Sequence, residues 1–244
     1  MDDCAEEKVV KEKKSLMEPI IAVMLAITAL LTAWASYIDS LYTGTQADNL
    51  TVSGILASEG NAIYNEMAQK QMQDALTCNE LNSLRMEIGF FGEDSEFGAL
   101  ALLKYNDLRS SLNGELLDAF MWAESESDTY GLRVSPFDYT YVNGDGDTVV
   151  FVEDYYYKDA NALIRLSEAV LNEGRDANDA ADRYGLVTVC YSLVLFLLGI
   201  SGTFTAKRPQ LGVVIIACVI FVAVTAFMLT IPLPADFSMA DMFT

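Results

Sequence analysis

The sequence predicts a mainly α fold with three transmembrane helices, two of which extend into an extracytoplasmic helical bundle with an inserted β-hairpin. Three observations carry this expectation. First, three stretches of roughly 22 residues or a little more are free of interior charge, the length that crosses ~30 Å of hydrocarbon. Second, 52% of the 244 residues are apolar, yet the net charge is -20. Both hold only if greasy and acidic residues occupy different segments. Third, small and apolar residues recur every seven positions through and beyond two of the apolar stretches.

The order along the chain begins with residues 1–16, which hold Lys8, Lys11, Lys13 and Lys14. Span one covers 17–38, with Pro19 where a missing N–H costs little. Ala33-Trp34-Ala35 also fits the small-x-small pattern of a signal-peptide cleavage site. The apolar run is longer than a usual signal core, and the small-residue pattern continues through the supposed cut, so an anchor is the better reading. Spans two and three cover 184–206 and 210–235. They are joined by 207–209, which holds Lys207 and Arg208, and span three is ended by Pro232 and Pro234. The tail 236–244 has only Asp236 and Asp241 as charges. Basic residues mark the cytoplasmic side. The expected topology is a multi-pass cell-membrane protein with the N-terminus and 207–209 cytoplasmic. Residues 39–183 and the C-terminus are then extracytoplasmic, and 39–183 hold 27 acidic against 9 basic side chains.

Counted in sevens, one row reads Ala22, Ala29, Ser36, Thr43, Leu50, Ala57 and Tyr64. The other reads Ala26, Ala33, Ser40, Ala47, Gly54, Asn61 and Ala68. Most are Ala, Gly, Ser or Thr, the residues that let helices approach closely inside a bilayer. Ala22, Ala26, Ala29, Ala33 and Ser36 are therefore the candidate helix-packing residues. Because the seam continues past Ile38, one helix is expected from about Pro19 to Ala75. Gly44, Gly54 and Gly60 are the places where it would break. A partner helix is expected from Asp159 to Phe204, with Leu163, Val170, Ala177, Tyr184, Tyr191 and Leu198 in one row. Leu166, Ala180, Val187, Val194 and Ser201 form the companion row, interrupted by Glu173. Its larger residues would fill the groove of the small seam, and Gly174 is its weak point.

Between these helices, Asn79–Phe90, Phe97–Leu112 and Glu115–Ala123 read as shorter helices, separated in part by an Asn113-Gly114 turn. Phe137–Val142 and Asp147–Val152 alternate aromatic and β-branched residues around Asn143-Gly144-Asp145-Gly146, which signals a hairpin near 137–152. Tyr155, Tyr156 and Tyr157 continue the aromatic load, either packed on the bundle or shown to a partner. Cys4, Cys78, Cys190 and Cys218 offer no reachable pair on one oxidising side, although Cys78 could link two chains. Asn49-Leu50-Thr51 is a weak glycosylation sequon.

The best candidate for a ligand is calcium, at Asn143, Asp145, Asp147 and Asp154. Oxygen side chains at positions 1, 3 and 5 and an acid at 12 resemble a calcium loop, although Thr148 stands where that loop needs glycine. The run Glu124, Glu126 and Asp128 reads as a solvated loop. With no histidine in the chain, His-based metal sites and Ser-His or Cys-His catalysis are excluded. No phosphate loop or Cys-x-x-Cys motif is present, so the expectation is a non-enzyme with no cofactor other than calcium. The acidity argues against nucleic acid as a partner. No ionisable residue interrupts the spans, which argues against a transporter. An oligomeric pore lined by Thr28, Thr32 and Ser36 is the remaining channel reading.

Ala33-Trp34-Ala35-Ser36-Tyr37, with Leu41, Gly44 and Gln46-Ala47, resembles a pattern in a family of uncharacterised prokaryotic three-span integral membrane proteins. The likeness covers roughly the first 60 residues and the closing span pair. It implies a first span, an outer helical region and two closing spans, and it brings no activity. The expected role is that of an assembly or scaffold protein. Its partners would be the lipid bilayer and either further copies of itself, as a homo-oligomer, or a membrane or envelope complex of which it is a subunit. An extracytoplasmic ligand- or calcium-binding module is the alternative, and a channel-like oligomer the third.

Overall fold

The computed structural model describes residues 17–130, 133–204 and 206–234. The lysine-rich leader 1–16 and the tail from 235 lie outside the described residues. The elements are α1 (Met17–Phe91), α2 (Glu96–Ser110), α3 (Gly114–Tyr130), a 3-10 turn (Pro136–Asp138), β1 (Thr140–Val142), β2 (Thr148–Val150), α4 (Phe151–Tyr155), α5 (Lys158–Ser201) and α6 (Lys207–Met228). The chain is mainly helical, and the two strands among the described residues form one small antiparallel sheet. By length and composition, α1, α5 and α6 are each able to cross a membrane.

Helix α1 runs beyond the expected end at Ala75 and absorbs the stretch read as a separate helix over Asn79–Phe90. Gly44, Gly54 and Gly60 do not break it. It stops where Gly92 turns left-handed (φ +78°) and donates its N–H to the Ile88 carbonyl at 2.9 Å, the usual glycine stop. Ser95 then caps α2 by accepting from the Gly98 N–H at 2.9 Å. Gly98 is obligatory, because a Cβ there would sit 1.9 Å from the Gly92 carbonyl oxygen. Asn113 caps α3 by accepting from the Leu116 N–H at 3.0 Å. That helix passes Ala123, the expected end, and continues to Tyr130.

The fold divides into two compact units: the described part of Met1–Leu50 with that of Leu171–Thr244, and Thr51–Val170. In the first, α5 is the central packing element. Tyr184, Val187, Tyr191, Val194 and Leu198 are buried, as the row of sevens predicts. They pack with Ala35, Ile38 and Ile21 of α1 and with Val214, Ala217 and Met228 of α6. The closing helices are shorter than the expected spans 184–206 and 210–235. Helix α5 ends at Ser201. Lys207 and Arg208 stand in the first turn of α6 rather than in a loop. Helix α6 ends at Met228, and the Thr230 and Ile231 N–H groups make turn hydrogen bonds before Pro232.

In the second unit Cys78, Leu81, Leu84, Ala101, Leu116, Phe120, Phe151 and Tyr156 form the core. α1 and α5 approach closely there. A Cβ at Gly60 would meet Ile164 Cγ1 at 3.0 Å and the Ala160 carbonyl at 3.2 Å. Ser53 Oγ donates to the Ser167 carbonyl at 2.9 Å. The hairpin is shorter than expected, pairing Thr140 with Val150, Tyr141 with Val149 and Val142 with Thr148. Phe137 and Asp138 lie in the 3-10 turn, while Phe151 and Val152 open α4. Burial of Phe151 in the core takes it out of the strand.

Candidate functional site

The hairpin turn is built by Asn143. Its Oδ1 accepts from the Asp145 N–H at 3.0 Å and the Asp147 N–H at 2.9 Å. Its N–H donates to the Asp147 carbonyl at 2.9 Å, and its carbonyl accepts from the Gly146 N–H at 3.1 Å. Gly146 has φ +89°, a conformation that suits only glycine well. Both lone pairs of the Asn143 carboxamide oxygen therefore serve the backbone. Asp145 and Asp147 are exposed around the same turn. Asp154 belongs to α4 and is engaged elsewhere. It accepts from the Tyr141 hydroxyl and pairs with Lys158 at 2.9 Å. These two partners, Tyr141 first, hold its carboxyl below the usual aspartate range. The bond to Asp154 raises the Tyr141 phenol to about 12, with burial adding to it. The structure thus gathers Asn143, Asp145 and Asp147 and sets Asp154 in a separate ion pair. Among the described residues, no three Cys, Asp or Glu side chains converge as metal ligands. Calcium binding rests on the sequence spacing.

The aromatic residues after the hairpin are mostly anchored inward. Tyr156 is buried and donates to Asp74 at 2.7 Å. Burial, aided by Asp74, raises its phenol well above the ordinary value. Tyr157 stacks on Tyr64 with centroids 4.5 Å apart and donates to Gln71. Lys70 donates to the Tyr155 hydroxyl at 2.9 Å and lies over that ring. Packing, rather than display, accounts for these three tyrosines.

The run Glu124, Glu126 and Asp128 is helical, contrary to the loop expected, because α3 continues through it. Glu124 ties this stretch of α3 to α1 and α2. It accepts from the Tyr105 hydroxyl and lies 4.0 Å from Arg85 and 3.9 Å from Arg109. Asp128 pairs with Arg85. Burial, with Glu124 second, raises Tyr105 to about 12. Cys78 is 2% exposed in the core, and burial lifts its thiol to about 11. It is not available to link two chains while the unit is folded.

The five helix-packing candidates share one fate. Ala22, Ala26, Ala29, Ala33 and Ser36 are all exposed on the isolated chain. The face of α1 that packs inside the chain is displaced by one residue, about 100° around the helix. It reads Ile21, Thr28, Ala35, Tyr42 and Asn49, with Leu25, Thr32, Asp39 and Gln46 beside them, each buried or half-buried. The α5 residues expected to fill the small seam meet this neighbouring face instead. Gly174, read as a weak point of α5, is a close-approach site: a Cβ there would lie 3.2 Å from Asn49 Cβ. That contact also occupies one side of the Asn49 sequon. The sequence reading missed Ser53 and Gly60, which belong to the same displaced row and could have been found by counting sevens from Leu25. No family model, curated protein or solved structure matches the chain.

Proposed function

We propose that this chain is a non-enzymatic multi-pass membrane protein that acts by assembly, through the outward small-residue face of α1, either with further copies of itself or as a subunit of a membrane complex. The observation that carries the reading is the division of labour around α1. One face, centred on Ile21, Thr28 and Ala35, is spent on α5 and α6. The adjacent face, Ala22 to Ser36, is left uncovered although it holds the residues best suited to close helix contact. A helix face that meets only lipid tails gains nothing from being small, whereas a helix partner gains close packing.

The lysines before α1 and the pair Lys207–Arg208 support a cytoplasmic N-terminus and an extracytoplasmic 39–183. Protease added to intact cells should then digest 39–183 and spare the leader. Digestion of the leader in intact cells would reverse the topology.

The assembly test is cross-linking of the full chain in native membranes. Ala26→Leu with Ala33→Leu should abolish the oligomer while insertion continues. Ala35→Leu should damage the chain itself, because Ala35 is fully buried. An oligomer unchanged by the double variant would refute the role given to the seam.

A further inference from the structure

We propose that a cleft in the second unit binds a small organic cation. The cleft has a volume of about 360 Å³ and is lined by Glu115, Asp118, Tyr139, Tyr141, Val142 and Phe151. This is at the small end of the ~300–1,000 Å³ typical of ligand pockets.

Its walls are aromatic and its charge is negative, and the two features come from different elements. Tyr139 and Tyr141 flank Thr140, the first residue of β1, and stack with centroids 5.9 Å apart and 25° between planes. Phe151, the first residue of α4, stands 6.3 Å from Tyr139. Trp122 also packs on Tyr139, at 5.3 Å, and Phe151 stacks on Tyr155 at 5.0 Å. Glu115 and Asp118 lie three apart in the first turns of α3 and therefore share a helix face. Neither carboxylate has a hydrogen bond or an ion pair within 4 Å among the described residues, although the charge of Glu115 is felt by Lys70 and Lys158. Most other charged groups in this region are paired: Asp154 with Lys158, Glu124 with Arg85 and Arg109, and Asp74 with Tyr156.

The chemistry selects the ligand class. Ring faces attract cations and are strongest toward those that shed water easily, as alkylammonium groups do. A hard metal ion takes six or more oxygens; Glu115 and Asp118 carry four between them, and the Tyr141 hydroxyl is already donated to Asp154. Anions are repelled by two unpaired carboxylates and by the excess of acidic over basic side chains in 39–183. The inference does not depend on the membrane topology or on the seam of α1.

The test is equilibrium dialysis of labelled tetramethylammonium against the full chain in mild detergent, at constant ionic strength set with sodium chloride. A single saturable site is expected. Glu115→Gln with Asp118→Asn should weaken it by roughly tenfold or more, and Tyr139→Leu, which keeps bulk without the ring face, by about tenfold. Glu87→Gln with Asp107→Asn removes the same charge elsewhere on the unit's surface and should leave it unchanged. Absence of saturable binding would overturn the proposal. So would equal losses in both carboxylate pairs, or calcium competing fully while Tyr139→Leu has no effect.

Discussion

Gly60→Ala and Gly54→Ala make the same chemical change on the same helix and in the same unit, yet only the second should stabilise the chain. Adding a methyl group to a helical glycine stabilises the helix by about 1 kcal/mol. At Gly54 nothing lies within 4 Å of the new Cβ, so that gain should appear nearly whole. At Gly60 the Cβ would meet Ile164 Cγ1 at 3.0 Å, the Ala160 carbonyl at 3.2 Å and Leu163 Cβ at 3.3 Å. The Ile164 side chain can swing away, but the Ala160 carbonyl is part of the α5 backbone and cannot. Overpacking of this kind costs ~1–3 kcal/mol. Set against the propensity gain, the outcome runs from neutral to a loss of about 2 kcal/mol. The two variants should therefore differ by roughly 1–3 kcal/mol, which denaturant unfolding of the detergent-solubilised chain, followed by far-ultraviolet circular dichroism, can resolve. If Gly60→Ala stabilises as much as Gly54→Ala, then α1 and α5 do not meet at Ala160, and the packing described for the second unit is wrong.

Other expectations follow from single side chains. Phe120→Ala empties a position that is 1% exposed in the second core and should cost ~3–5 kcal/mol, read from the same unfolding curves. Asp154 has its folded value depressed by Tyr141 and Lys158. Its contribution is present above the usual aspartate value and lost as pH falls through the folded one, so Asp154→Asn should flatten the acid limb of a stability–pH profile. Tyr105 has the opposite sign: raised to about 12, it stabilises fully below its ordinary value of 10.0 and loses that contribution as pH climbs toward 12. Tyr105→Phe should remove that alkaline decline, and an unchanged slope would show that Tyr105 is not held as described, buried and bonded to Glu124. Cys78 should resist alkylation at neutral pH until denaturant is added, as a buried thiol raised to about 11 must; rapid labelling of the native chain would contradict its place in the core.

Much of the architecture was legible from periodicity. The α5 row of sevens identified Tyr184, Tyr191 and Leu198 as packing residues because they are large enough to fill a groove between helices, whereas Leu166 of the companion row is exposed. The hairpin was legible from Asn-Gly-Asp-Gly between aromatic and β-branched residues. Its ends were not, because Phe151 answers to the core rather than to β propensity. The inward face of α1 was missed for a different reason. Alanine and serine suit a close helix contact whether the neighbour is in the same chain or another, so small size alone does not say which contact is made. The true face mixes Ile21, Tyr42, Asp39 and Gln46 with small residues, which hid it from a search for small-residue repeats. Thr28 is fully buried and satisfies its hydroxyl on the Met24 carbonyl at 2.7 Å. Tertiary partners likewise decide the fate of Glu124 to Asp128. Isolated, three acids in five residues look solvated; the contacts of Glu124 with Arg85, Arg109 and Tyr105 come from other stretches and could not be read locally.

Pro232 carries the last consequence. Its carbonyl accepts from the Tyr42 hydroxyl of α1 at 2.9 Å and from the Tyr184 hydroxyl of α5 at 3.4 Å, and those two rings stack. One oxygen thus fixes the height of three rods at once. Sliding α6 by a single residue step, ~1.5 Å along its axis, would strip both donors together. Axial travel of α6 is consequently opposed at this end by the loss of two hydrogen bonds, about 1–3 kcal/mol in all, and that of α1 or α5 by the loss of one.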